Sequence, residues 1–106
     1  MGLPSLSPEE RQAALHKAAL ARRIRADLKD RLRKRLISIE DVLAQAKTDE
    51  TIAKLKVIDL LQSLPGIGEV RAKSMMADIG IAPSRRLRGL GTNQTAGLIH
   101  QLQQRG

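Results

Sequence analysis

An all-α fold is predicted by three features of this chain. Apolar residues recur at the three- and four-residue spacing of helices, helix start signals punctuate the sequence, and no stretch shows sustained two-residue alternation. The first element opens at Ser7-Pro8-Glu9-Glu10, with serine as N-cap, proline at the first helical position and Glu10 closing a capping box. No Gly or Pro interrupts the Ala-, Leu-, Arg- and Lys-rich sequence from there to about Arg35. This predicts one helix of about 28 residues, roughly 42 Å long. Leu20, Ile24, Leu28 and Leu32 form an apolar stripe on it, and Arg22, Arg25, Lys29 and Arg33 a basic one.

A second, short helix is expected from Ser38-Ile39-Glu40-Asp41 to about Ala46, again with capping-box spacing. The polar run Lys47-Thr48-Asp49-Glu50, with Thr48 as a cap for a further turn, marks a boundary. Residues 1–47 form a helical arm and 48–106 the main domain. From Lys56 to Ser63, Val57, Leu60, Leu61 and Leu64 have core-helix spacing, and Pro65 ends that helix by disfavouring helical geometry in the residue before it. The next helix runs from about Glu69 to Ile79, burying Val70, Ala72, Met75, Met76 and Ile79, with Gly80 as its stop. Pro83-Ser84 opens a short helix through Arg88, and Thr92 caps a last one reaching about Gln104.

Two glycine-rich helix starts carry the functional reading. Leu64-Pro65-Gly66-Ile67-Gly68 leads into Glu69-Val70-Arg71-Ala72-Lys73, and Arg85-Arg86-Leu87-Arg88-Gly89-Leu90-Gly91-Thr92-Asn93 repeats the theme with more charge. Helix N-termini leave backbone N–H groups unpaired and carry partial positive charge, so they attract phosphate, and glycine lets that backbone come close. Taken alone, the first turn is as readily a connector between apolar helices, and an arginine cluster as readily a solvated face. Their proximity on a chain of net charge +8 favours a grip on a polyanionic backbone. Leu87 is the core anchor that orients the arginines.

Composition narrows the partner. The chain has no Phe, Tyr or Trp, so it lacks the rings on which single-strand readers stack bases, whereas duplex backbone binding needs only charge and N–H donors. Between Lys17 and Arg35 nine Lys or Arg face two acidic residues, Asp27 and Asp30, so the first helix reads as a solvated basic helix, a membrane-surface or calmodulin-type amphipath, or a second nucleic-acid surface, the last being favoured. Its apolar stripe lacks the aromatic anchors of a membrane-surface helix. No cysteine is present, no apolar run approaches the roughly 20 residues of a membrane span, and Met1-Gly2-Leu3-Pro4-Ser5-Leu6 fits neither a signal peptide nor a myristoylation site. A cytosolic location is expected.

Enzyme chemistry finds no constellation. The Gly66-Gly68 turn lacks the preceding strand and third glycine of a dinucleotide fingerprint, and no Gly-Lys-Ser/Thr triplet exists. His16 and His100 are solitary, and the carboxylates fall mostly at helix starts. No catalytic residue, metal or cofactor is expected.

Lys54 to Leu98 resembles the actinobacterial integration host factors, on Leu64-Pro65-Gly66-Ile67-Gly68, Arg71-Ala72-Lys73 and Arg85-Arg86-Leu87-Arg88-Gly89-Leu90-Gly91. Leu3-Pro4, Pro8-Glu9-Glu10-Arg11 and the Ala/Arg-rich helix extend the likeness over nearly the whole chain. The resemblance implies a long N-terminal helix on a small domain with a helix–two-turns–helix motif. It also implies a nucleoid-associated, cytoplasmic protein, monomeric in solution, that binds duplex DNA with little sequence preference. Such a protein bends or compacts the duplex and assists site-specific recombination, for example beside a phage integrase on DNA. The candidate DNA-binding residues are Pro65, Gly66, Ile67, Gly68, Val70, Arg71 and Lys73 at the first turn. Arg85, Arg86, Arg88, Gly91, Thr92, Asn93 and Gln94 form the second set, and Arg22, Arg23 and Arg25 a further DNA surface. Relatives often have a basic residue where this chain has Glu69, a carboxylate that favours the helix dipole yet repels phosphate. The alternative is a ribosome-associated protein that binds structured RNA with the same motif; a DNA-repair accessory domain is a third reading.

Overall fold

The computed structural model describes residues 5–104; Leu3-Pro4 and the rest of residues 1–4, with 105–106, lie outside them. Six α-helices follow in order: α1 Pro8–Arg33, α2 Ile39–Gln45, α3 Glu50–Ala53, α4 Val57–Gln62, α5 Glu69–Ile79 and α6 Thr92–Gln103. A 3-10 turn at Leu87–Gly89 lies between the last two. No strand forms among the described residues, as the all-α reading requires.

Local signals explain most helix ends. At α1 the Ser7 hydroxyl accepts from the Glu10 N–H at 3.1 Å, while the Glu10 carboxylate accepts from the Ser7 N–H at 3.2 Å. Bonds from Ser7, its side chain first and its backbone second, hold the Glu10 carboxyl below its ordinary pKa. Ser38 and Asp41 make the same reciprocal pair at α2. Helix α1 stops two residues before the expected end because Arg35 enters left-handed geometry, φ +61°. Its N–H donates to the Leu32 carbonyl and that of Leu36 to Arg31, closing the helix in a Schellman turn. Gly80, φ +83°, ends α5 in the same way, with the Ile81 N–H on the Met76 carbonyl at 2.8 Å.

Three local expectations are corrected. Thr48 does not cap α3: the Asp49 carboxylate accepts from the Thr51 and Ile52 N–H groups, and the Thr48 hydroxyl donates back to the Gln45 carbonyl. Residues 83–88 do not form a helix. An isolated antiparallel bridge to Lys56 holds Arg86 extended, with the Val57 N–H on the Arg85 carbonyl and the Leu87 N–H on the Leu55 carbonyl. Only Leu87–Gly89 then turns, as 3-10. Finally, Gly91 rather than Thr92 is the N-cap of α6.

One hydrophobic core joins all the helices. Leu28 and Leu32 of α1 meet Ile39, Val42 and Leu43 of α2, then Leu60 and Leu61 of α4, Met75 and Met76 of α5, and Leu98 of α6. The expected boundary after residue 47 therefore falls within a shared core. The apolar stripe of α1 is buried only at its C-terminal end; Leu20 and Ile24 remain exposed with most of the N-terminal half of the helix. That half projects, and the molecule measures 52 × 32 × 25 Å. Val70, expected on the buried face of α5, is 84% exposed, and Ile79 is half-buried; Ala72, Met75 and Met76 carry the packing.

Candidate nucleic-acid interface

The first turn is built by its sequence. The Ile67 N–H donates to the Leu64 carbonyl at 3.3 Å, with Pro65 and Gly66 between them. Gly66 takes φ +82°, the third-position geometry of a type II turn, which few side chains tolerate. Ile67 is 5% exposed and pins the turn to the core, so only its backbone is offered outward. Gly68 then caps α5 without any side-chain bond, and a Cβ added there would meet nothing within 4 Å. The helix start is thus open, where Ser7, Ser38 and Asp49 close the starts of α1, α2 and α3.

An exposed groove runs beside this helix start, lined by Gly66, Gly68, Val70, Arg71, Ser74 and Gln101, with Glu69 and Asp78 also on it. Lys73 stands apart: its ammonium pairs with the Glu69 carboxylate at 2.7 Å, both side chains well exposed. The bond from Lys73, and then its charge, hold the Glu69 carboxyl below its ordinary pKa. A depressed folded-state pKa means the pair's contribution is present above the unfolded value and is lost as pH falls through the folded one.

The second segment, residues 81–91, is a loop between α5 and α6. Buried Ile81 and Leu87 anchor it, as expected for Leu87. Its three arginines serve three places rather than one patch. Arg85 folds over Gly89, its guanidinium donating to the Gly89 carbonyl at 2.8 Å. Arg86 donates to the Lys54 carbonyl at 2.6 Å. Both keep further guanidinium donors for a ligand. Arg88 lies on a cavity of about 420 Å³ floored by Leu43, Leu87, Leu90 and Ile99 and rimmed by Glu40 and Lys47.

Arg86 thereby joins a basic cleft between α1 and the start of α4. Its walls are Arg22, Arg25, Lys29, Lys54, Lys56 and Arg86, with Asp59 among them and Glu50 paired to Lys54 at 3.5 Å. Arg25 also donates to the Thr51 carbonyl at 3.5 Å. Arg23 is exposed and is not among the lining residues, because it projects from another side of α1. Lys54 and Lys56 are not among the sequence-based candidates; each is a single charge in sequence, and the bridge of Lys56 to Arg86, with the Arg86 bond to the Lys54 carbonyl, brings them to this cleft.

The α6 start resembles that of α5, with glycine as N-cap and no side chain from the cap itself. Thr92 and Asn93 are exposed there. Gln94 differs: its carbonyl accepts from the Gly91 N–H at 3.0 Å and its amide donates to the Gly80 carbonyl at 3.0 Å.

Residues 32–102 match the S13-like H2TH domain family. The chain is 54% identical to an integration host factor of Streptomyces coelicolor over 98 residues, covering 92% of each chain. It is 50% identical to that of Mycolicibacterium smegmatis over 104 residues, covering 98% of this chain and 99% of the other. The chain belongs to the actinobacterial integration host factor family. Among solved structures it resembles that of sIHF bound to an 8bp palindromic DNA, with TM-score 0.80 and 50% identity. That alignment covers 81% of this chain and 97% of the other.

Proposed function

We propose that this integration host factor relative is a non-enzymatic architectural protein that binds duplex DNA through its phosphate backbone, with little sequence preference. The observation that carries the reading is the start of α5 behind Gly68 with no side-chain cap, on a strongly basic chain whose α6 also begins behind a glycine and leaves Thr92 and Asn93 exposed. Open N–H groups and helix dipoles there suit phosphate. The sIHF structure with bound DNA supports a duplex partner.

At the first turn, Pro65, Gly66, Ile67 and Gly68 contribute backbone, with Val70 and Arg71 beside them and Lys73 available once released from Glu69. In the second segment Arg85, Arg86, Arg88, Gly91, Thr92 and Asn93 face the duplex. Arg22 and Arg25 extend contact into the basic cleft, with Arg23 on the flank of α1. The division at residues 47 and 48 is one of labour: the arm carries this further surface, and the remainder carries the motif. By this reading the protein works as a monomer on the nucleoid in the cytoplasm. It bends or compacts DNA and assists site-specific recombination, including a phage integrase complex on DNA. It needs no cofactor. Among the described residues no helix is long and apolar enough to cross a membrane, and no group of three or more His, Cys, Asp or Glu could hold a metal ion.

The S13-like description of the matched domain makes structured RNA the competing ligand. A competition assay decides between them: a labelled duplex of about 20 base pairs is displaced by unlabelled duplexes of unrelated sequence and by structured RNA of equal length. Unrelated duplexes are expected to compete alike, and RNA to need a several-fold higher concentration. Preferential displacement by RNA would transfer the assignment to an A-form backbone.

A further inference from the structure

We propose that Gln94 is a positioning residue for DNA binding that does not itself touch the duplex: its side chain closes the base of the arginine loop and aims Arg88 and the α6 N-terminus. The proposal rests on the duplex-binding reading above. Residues 81–90 leave the end of α5 and return to the start of α6, and the two ends of that excursion are Gly80 and Gly91. Gln94 bonds both, accepting from the Gly91 N–H and donating to the Gly80 carbonyl, each at 3.0 Å. A single amide thus sets the distance between the left-handed stop of one helix and the N-cap of the next. The primary amide of glutamine supplies both the acceptor and the donor for this task at the end of a flexible side chain.

The rest of the loop shows what depends on it. The first limb is fixed independently by buried Ile81, by the Val57 N–H on the Arg85 carbonyl, and by the Leu87 N–H on the Leu55 carbonyl. Arg86 is tied to Lys54 on that limb. The returning limb is tied mostly to itself: the Gly89 and Leu90 N–H groups donate to the Arg86 and Leu87 carbonyls, the Arg85 guanidinium to the Gly89 carbonyl, and the Thr95 hydroxyl to the Gly91 carbonyl. Gln94 adds the bonds that reach from Gly91 back to Gly80 at the end of α5. Arg88 and the exposed Thr92 and Asn93 lie on this returning side. Breaking the tie removes the link that sets this limb and the start of α6 against the end of α5, while the bonds of Arg85 and Arg86 remain.

The charge state of binding separates this role from two simpler ones. Gln94 is uncharged, so if its amide touched the duplex directly, removing it would leave the salt slope unchanged. A positioning residue that lets an arginine drift removes a charged interaction, and each of these adds about −0.9 to the slope of log K against log salt. The test compares wild type, Gln94→Ala, the nearly isosteric Gln94→Met, Arg88→Ala and the Gln94→Met/Arg88→Ala pair. Duplex affinity is measured over a salt series, with helix content by circular dichroism to confirm folding. Gln94→Ala and Gln94→Met are expected to weaken binding roughly tenfold, the worth of one charged hydrogen bond, and to flatten the slope by about 0.9. Arg88→Ala should do the same, and the double variant should add little further flattening. Weaker binding at an unchanged slope overturns the proposal in favour of a direct Gln94–DNA bond. A lower melting temperature with normal affinity and slope overturns it in favour of a purely structural tie. If wild type itself fails to bind duplex, the underlying reading fails instead.

Discussion

Gly68→Glu is expected to abolish duplex binding, by about 100-fold or more, in a protein that folds normally. The position tolerates a side chain: its backbone is extended at φ −93°, and a Cβ would enter open space. A carboxylate at a helix start also favours the dipole, so stability should be little changed. Binding is another matter, because the same open space is where the proposed phosphate approaches. The variant forfeits a phosphate hydrogen bond of about 1.5–3 kcal/mol there. Charge repulsion adds to that, and each 1.4 kcal/mol is about tenfold in affinity. The companion variant, Glu69→Gln, tests the sign. It removes a carboxylate from the same helix start and frees the Lys73 ammonium now held at 2.7 Å. Binding should tighten by about two- to fivefold, the modest effect of one exposed charge. Fluorescence anisotropy with one labelled duplex reads both variants. If Glu69→Gln weakens binding at unchanged helix content, the phosphate does not sit at this helix start and the turn is only a connector.

The largest expected effect on stability belongs to Leu32→Ala. Leu32 is 1% exposed and carries α1 into the common core. Truncating a buried leucine costs about 2–5 kcal/mol through lost transfer energy and the cavity left behind. In a chain of this size that lowers the melting temperature by on the order of 10–20 °C or more. The melt should remain a single transition, because the residues around Leu32 belong to the same cluster as Leu60 and Leu98. A loss under about 0.5 kcal/mol, the usual cost of a surface change, would mean that α1 is a detachable arm.

What could be read from the sequence divides by distance along the chain. The starts of α1 and α2 were legible because Ser7 with Glu10, and Ser38 with Asp41, settle them within four residues. Gly80 announced the end of α5 for the same reason. Segment 83–88 misled because Pro83-Ser84 is a sound local helix opening, whereas its conformation is decided by Lys56, about thirty residues before Arg86. The α3 cap failed on a choice between adjacent Thr48 and Asp49, both suited to the role. Val70 was misplaced because an apolar residue in a helix suggests burial, yet it stands on the outer face of α5. The candidate site shows the same pattern. Both glycine turns were visible, but the splitting of Arg85, Arg86 and Arg88 among three surroundings depends on carbonyls at Gly89 and Lys54 and on the cavity beside α2. No local pattern marks the reach of Gln94 across to Gly80.

The central claim is a grip on the phosphate backbone, and the salt dependence of wild-type binding tests it most directly. Affinity for two duplexes of unrelated sequence is measured from about 50 to 200 mM salt. At least three charged contacts predict a slope of log K against log salt of about −2.7 or steeper, nearly equal for both duplexes. A flat response, or tight binding confined to one sequence, would contradict the account.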